Sequence, residues 1–259
     1  MHWVIENQVF SNQAAGLIQA LQAAGHGLTL WSDALLERSR APWSAETVVF
    51  HGALGTAVAL REKPWAPQIF CDVAALHSSA YYPLYEKYRL NQIYEVLPAD
   101  QAVSDKARIF DGFGEQVFVR PDSPLKEFSG RVLDPAGFTL AGLDHGFYFE
   151  DSALPVLVAP TQVLGAEWRF VVAGDQVVAA SGYSAQTGRQ VGSAEVDPAA
   201  MALAKEIAGS VPGPEALYVL DLVHTAQGYR LLELNSFSCS DLYACDPTAV
   251  VRSVAETLL

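Results

Sequence analysis

The stretch Tyr218–Pro247, YVLDLVHTAQGYRLLELNSFSCSDLYACDP, decides the fold of this chain. Two apolar runs, residues 217–223 and 229–234, flank a polar turn containing Gly228. That pattern is a β-hairpin signature. A hairpin centred on Gln227 sets Asp221 directly opposite Glu233. Opposed residues share a face of the sheet, and Asn235, two positions beyond Glu233, shares it too. Like charges set opposite each other are destabilising, more so among apolar neighbours. A hard divalent cation is the natural compensation. Two carboxylates and an amide oxygen suit Mg²⁺, which keeps waters and binds alongside substrate phosphates. The same residues also fit a polar sheet edge facing water, and at this point both interpretations stand.

With 259 residues the chain can bury a large core, as one big domain or two to three lobes. Half of it is hydrophobic (51%) and only 17% is charged, which marks a globular rather than a disordered chain. A net charge of −13 argues against a nucleic-acid surface, which needs clustered Lys and Arg. No apolar run is long enough to span a membrane. MHWVIENQVF lacks the basic and apolar regions of a signal peptide, so a cytoplasmic location is expected. Cys71, Cys239 and Cys245 show no CxxC spacing, so neither a zinc site nor a disulfide framework is supported. Redox chemistry at Cys239 and Cys245 is one use of them; packing as small residues in a reducing compartment is the other.

Residues 1–75 predict a small α/β lobe. WVIEN is a strand, and SNQAAGLIQALQAAGHG a helix with Ser11 as N-cap and Gly25 or Gly27 as stop. LTLW and TVVFHG follow as buried strands in a βαβ rhythm that implies parallel pairing. Gly52-Ala53-Leu54-Gly55 is too short for a dinucleotide fingerprint and predicts a turn bordering a substrate cleft. Residues 76–110, rich in Tyr and Pro, predict a helix in a segment that crosses between lobes, its tyrosines serving as packing. QVFVRP and LPVLVAP are strands joined through the loop DSPLKEFSG. AEWRFVVAGDQVVAASGY is a second hairpin with Gly174-Asp175 at its tip. Asp197-Pro198 and Asp246-Pro247 each open a helix as N-cap and N1 proline, and Val250, Val251, Val254 and Leu258 share one face of the last. The second half is therefore α+β.

Positive charge meets the strands at three places. Arg120 ends an apolar strand, Lys126 lies in the loop after it, and Arg169 opens the next hairpin. With only 16 basic residues, cations at apolar strand ends are unusual. Arg offers a planar fork for phosphate or carboxylate, and Lys a mobile point charge. Three cations beside two carboxylates and a metal make a polyphosphate site. Pairing of Arg120 with Asp122 and of Arg169 with Glu167, and a solvated loop lysine at Lys126, are the structural alternatives. There is no GxxxxGK[ST] sequence, so a P-loop does not cradle the phosphates, and no HExxH, GxSxG or kinase signature is present.

Three blocks, FVRPDSPLKEFSG (118–130), VLVAPTQVLGAEWRFVVAGDQVVAASGY (156–183) and the Tyr218–Pro247 stretch, resemble the ATP-grasp superfamily. Within it they are most similar to the clade named for characteristic arginine and lysine residues. The resemblance covers roughly residues 100–255. It implies an ATP-grasp fold: two α+β lobes clamping ATP, behind a small N-terminal α/β lobe. The expected division is 1–75 for the N-terminal lobe, 76–160 for the central lobe and 161–259 for the C-terminal lobe with the metal site. It also implies phosphorylation of a carboxylate, followed by attack of an amine or thiol on the acyl phosphate. In that scheme Asp221, Glu233 and Asn235 hold Mg²⁺, and Arg120, Lys126 and Arg169 are the catalytic cations on the ATP phosphates. Leu157, Val158, Ala159 and Pro160 form the hinge whose backbone meets adenine, with Glu167 shortly after it. The phosphate-covering loop of many relatives is reduced here to DSPLKEFSG, which implies a divergent substrate.

A loop holding Lys126, Ser129 and Gly130 between two strands suits a lid that excludes water from a labile acyl phosphate. Ser181, Tyr183, Ser238, Ser240, Asp241 and Tyr243 flank the expected metal site and either orient the acceptor or cap turns. The expected partners are small-molecule or peptide carboxylates and amines, with a cationic or zwitterionic amine favoured in an acidic protein. Two rival functions remain at this stage: an ATP-binding module that has lost ligation, and a transferase or phosphatase that uses the carboxylates without ATP.

Overall fold

The structure is a computed structural model and describes residues 1–183, 190–191 and 196–259. Its first sheet is parallel, with β1 (His2–Ile5) between β2 (Gly27–Leu30) and β3 (Val48–His51). Helix α1 (Ser11–Ala23) crosses from β1 to β2. Ser11 is not its cap: the chain turns through residues 7–10, Phe10 takes the capping position without a side-chain bond, and Ser11 is already helical. The helix stops where Gly25 adopts a φ of 70°, a left-handed turn open to glycine. β2 is not buried as expected; among the described residues it is an edge strand paired only with β1, and Leu30 is exposed. After β3, Gly52 and Ala53 make the turn, but Leu54 and Gly55 already belong to α2 (Leu54–Arg61).

A second, antiparallel sheet has the order β4-β7-β5-β6. Its strands are β4 (Glu95–Pro98), β5 (Val117–Pro121), β6 (Arg131–Leu133) and β7 (Pro155–Pro160). The short helices α3 (Ser78–Tyr81), α4 (Ala99–Ser104) and α5 (Lys106–Phe113) precede β5. Sequence pattern reveals β5 and β7. β4 and β6 are edge strands of four and three residues, too short to show a period.

The third sheet has the order β10-β9-β8-β11-β12 and is antiparallel throughout. Its strands are β8 (Glu167–Ala173), β9 (Gln176–Tyr183), β10 (Gln190–Val191), β11 (Leu217–Thr225) and β12 (Gly228–Ser236). Helices α6 (Pro198–Ser210) and α7 (Pro247–Leu258) begin at the two Asp-Pro pairs. Asp197 accepts from the Ala199 N–H at 2.8 Å and Asp246 from the Thr248 N–H at 2.9 Å. Both faces of this sheet are covered. On one, Tyr218, Leu220 and Leu222 pack with α6 and with Tyr81, Tyr82, Tyr85 and Tyr88. On the other, Leu217, Val219 and Val171 pack with the first sheet, α1 and α7, where Val250, Val251 and Val254 are buried. Asp221 belongs by parity to this second face, at the end of an otherwise apolar row. Among the described residues, no helix is long and apolar enough to cross a membrane.

Phe237 joins the first and third sheets. It is fully buried, with the rings of Trp3 and Phe70 edge-on at 6.1 and 6.5 Å. Phe237→Ala is expected to lower stability by about 3–5 kcal/mol, read as a fall in the urea midpoint at constant m-value.

Candidate functional site

Four polar residues stand side by side across the third sheet: Ser181 on β9, Arg169 on β8, Asp221 on β11 and Glu233 on β12. The last pairing depends on an irregularity. The hairpin closes with Thr225 opposite Gly228, a two-residue turn in which Gly228 takes a φ of 91°. A regular ladder from that turn would set Leu232 opposite Asp221 and send Glu233 to the other face. Instead the register shifts by one residue between Leu222 and Asp221, leaving Leu232 as the extra residue of a β-bulge. The bulge brings Glu233 onto the Asp221 face.

The Arg169 fork grips Asp221 with two bonds, Nε to Oδ1 at 2.9 Å and Nη2 to Oδ2 at 2.6 Å. Its remaining nitrogen donates to the Asp241 carbonyl at 2.6 Å, and the guanidinium lies 4.7 Å from the centre of the Tyr243 ring. Tyr243 stacks on Tyr183 at 4.9 Å and holds a φ of 50°, a strained backbone for a bulky residue. Arg120 reaches across from the second sheet to donate to Glu233 at 2.8 Å. Lys126, also at positive φ (55°), places its ammonium 3.9 Å from the same carboxylate. The alternative partners are otherwise engaged or passed over. Asp122 accepts from the backbone and hydroxyl of Ser79, and Arg169 bonds Asp221 rather than Glu167.

The Asn235 amide sits between the two carboxylates, with Nδ2 3.0 Å from Asp221 and 3.1 Å from Glu233. A half-turn of that amide points three side-chain oxygens at one place. The donor set is hard and suits Mg²⁺. It comprises two carboxylates and an amide, and among the described residues no trio of His, Cys, Asp or Glu gathers to hold a metal. Burial pushes the Asp221 carboxyl up, against the pull of Arg169. Burial would raise Glu233 too, but Arg120 and then Lys126 overcome it and hold the carboxyl at about 2. Burial raises Glu167.

Two cavities meet at this row. One of about 290 Å³ is lined by Arg120, Lys126, Ser129, Gly130, Glu167 and Glu233. The other, about 370 Å³, is lined by Lys126, Arg169, Asn235, Ser240, Asp241 and Tyr243. Lys126 is a wall of both. Leu157, Val158 and Ala159 do not reach either cavity. They are fully buried in the central strand β7, and Leu157 and Val158 are paired on both edges. Ser238 is also turned inward, its hydroxyl accepting from the Phe70 N–H at 2.9 Å. Cys71, Cys239 and Cys245 are all free thiols, and Cys239 borders the second cavity.

The sequence matches, over residues 58–254, the profile of the ATP-grasp domain that forms family 3 of the arginine–lysine clade. The chain belongs to this family. The match begins upstream of the resembling blocks and takes in the second half of α2 and the tyrosine-rich segment. The ATP-grasp fold is shared with the D-cycloserine synthetase DcsG at a TM-score of 0.67 and 15% identity, covering 100% of this chain and 99% of that one. It is shared with a RimK domain ATP-grasp protein from Sphaerobacter thermophilus DSM 20745 at 0.63 and 16% identity, covering 96% and 98%. It is shared too with D-alanyl-alanine synthetase A from Vibrio cholerae O1 biovar eltor str. N16961 at 0.64 and 13% identity, covering 99% and 98%. A comparison with curated proteins finds no match.

Sequence reasoning did not single out Glu6, Gln13 or His51, which line a third cavity described below. The available signal was position: Glu6 and His51 stand at the carboxyl ends of parallel strands, where open α/β sheets bind ligands.

The electrostatics of this ATP-grasp site are open to two measurements. Glu233 titrates at about 2 instead of its ordinary 4.5, so its stabilising contribution is full above pH 4.5 and is lost as pH falls toward 2. Unfolding free energy is expected to drop over that window, and Glu233→Gln to flatten the drop by on the order of 3 kcal/mol. Arg169→Met alone leaves Asp221 buried with the Asn235 amide but no cation and should cost about 3–5 kcal/mol; adding Asp221→Asn should recover part of the loss in a double-mutant cycle.

Proposed function

We propose that this chain is an ATP- and Mg²⁺-dependent ligase that joins a carboxylate to an amine or thiol through an acyl phosphate. The observation that carries the proposal is the convergence of Asp221, Glu233 and Asn235 on one point, with Arg120, Lys126 and Arg169 around them. Such a set serves phosphoryl transfer, where catalysis is largely positioning and charge stabilisation.

Asp221, Glu233 and Asn235 would hold Mg²⁺, whose chemistry here is to neutralise charge on bridging phosphate oxygens. Arg120 and Lys126 bind and orient the triphosphate in the first cavity. The adenine lies at the β7–β8 connection, between Ala159–Pro160 at the end of the expected hinge and Glu167, because Leu157 and Val158 have both backbone edges paired. Beyond Val158 the β7 backbone is no longer paired with β4. A carboxylate oxygen of the substrate attacks the γ-phosphorus, the bond to the β–γ bridging oxygen breaks, and ADP leaves. The amine or thiol then bonds to the acyl carbon, the carbon–oxygen bond to phosphate breaks, and the departing phosphate takes the nucleophile's proton. The 122–130 loop, carrying Lys126, Ser129 and Gly130, covers the first cavity and keeps water from the acyl phosphate.

ATP with Mg²⁺ is expected to raise the melting temperature, adding about 2.7 kcal/mol at 100 times its Kd. ADP release driven by a panel of carboxylates and amines should fall to background in Glu233→Gln. Wild-type turnover in that variant would refute the metal assignment. Saturable nucleotide binding with no release for any acceptor would leave a nucleotide-binding module in its place.

A further inference from the structure

A third cavity, of about 250 Å³, lies at the carboxyl ends of β1 and β3, against the first turns of α1 and the segment before α7. Phe10 and Tyr243 line both this cavity and the one that holds Arg169 and Asn235. Since Lys126 joins that second cavity to the first, shared walls connect the three in series.

Its polar groups have matching vacant valences. Glu6 accepts from the Ala53 N–H at 2.8 Å through Oε2. Gly52 makes this approach possible, because a Cβ there would stand 2.7 Å from the same oxygen. No donor among the described residues occupies the other oxygen of Glu6. His51 is buried, and its Nε2 lies 3.1 Å from the Ser240 carbonyl. A carbonyl only accepts, so Nε2 carries the proton and Nδ1 is an acceptor. Burial holds this imidazole at about 4, so it is neutral at physiological pH. The Gln13 amide is oriented by the Leu242 N–H, which donates to Oε1 at 2.7 Å. That leaves Nε2 buried with no acceptor among the described residues. The rest of the wall is largely apolar, including Ile5, Ala14, Leu17 and Leu242.

We infer that this cavity holds the attacking amine, and that the amine belongs to an α-amino acid, or to the amino-terminal residue of a peptide, with an apolar side chain. The inference rests on the ligase proposal above. The amino group donates to Glu6, the carboxylate or carbonyl oxygen accepts from Gln13 Nε2, and the side chain lies against the aliphatic wall. A lysine side chain would bury its charge there, and a glutamate side chain would meet no cation.

Calorimetric titration of the full chain with L-leucine, L-phenylalanine and leucylglycine, against L-lysine and L-glutamate, tests it. Leucine, phenylalanine or leucylglycine should bind, with lysine and glutamate weaker by about tenfold or more. Strong binding of leucylglycine over both free amino acids assigns the site to a peptide terminus, and the reverse to a free amino acid. Ala14→Phe, which fills the cavity, should abolish binding, and Glu6→Gln should weaken it by about tenfold. If Ala14→Phe does not fold, Glu6→Gln decides. Failure of every apolar probe to bind, or wild-type binding in a folded variant of either kind, overturns the inference. ATP with Mg²⁺, titrated in parallel, separates the two proposals. Nucleotide binding without amino-acid binding removes the acceptor assignment alone, and the converse removes the nucleotide site alone.

Discussion

The two-bond grip of Arg169 on Asp221 is the constraint from which the rest of the site follows. Asp221 sits in a sheet covered on both faces, at zero exposure, where an unpaired carboxylate would not remain ionised. A lysine would supply charge but not the fork that satisfies both oxygens. The third nitrogen of the same guanidinium anchors the Asp241 carbonyl, and its face carries the Tyr243 ring. One side chain therefore fixes a carboxylate, the 241–243 loop and a wall of two cavities. Buried ion pairs seldom add net stability over an apolar replacement of the same shape. The value of this one lies in position.

A second ion pair ties the lobes. Arg120 belongs to the second sheet and Glu233 to the third, so their 2.8 Å contact is a link between bodies that the covalent chain joins through the β7–β8 connection. Lys126 approaches the same carboxylate from the loop between β5 and β6. Cations from one lobe thus meet anions from the other at the place where the two cavities touch.

What the sequence made legible was local. The Asp221–Glu233 pairing was readable because apolar runs bracket a glycine turn, and a two-residue turn plus a one-residue bulge shifts the register as far as a turn centred on Gln227 would. Helices α6 and α7 were readable because Asp-Pro is both a cap and a start. Ser11 was misread because a cap is set by the dihedral angles of the preceding turn, not by residue type. The partner of Arg169 was not readable at all: Glu167 is two residues away, and Asp221 is 52. Only the adjacency of β8 and β11 decides between them. The same holds for Glu6, Gln13 and His51, whose common cavity is closed by residues 242–247 from the far end of the chain.

The charge arrangement also constrains the order of events on the ligase proposal. In a chain of net charge −13, triphosphate would be repelled from most of the surface, and its approach depends on Arg120 and Lys126. Both face Glu233, the residue proposed to hold the metal. Phosphate oxygens that draw these cations away leave Glu233 with an uncompensated charge in a largely buried place. A dication arriving first would meet two cations already beside its ligand. On that proposal each ligand removes an obstacle to the other, so each raises the affinity for the other. Positive coupling between them is a consequence of where Arg120 and Lys126 stand, and needs no further conformational switch.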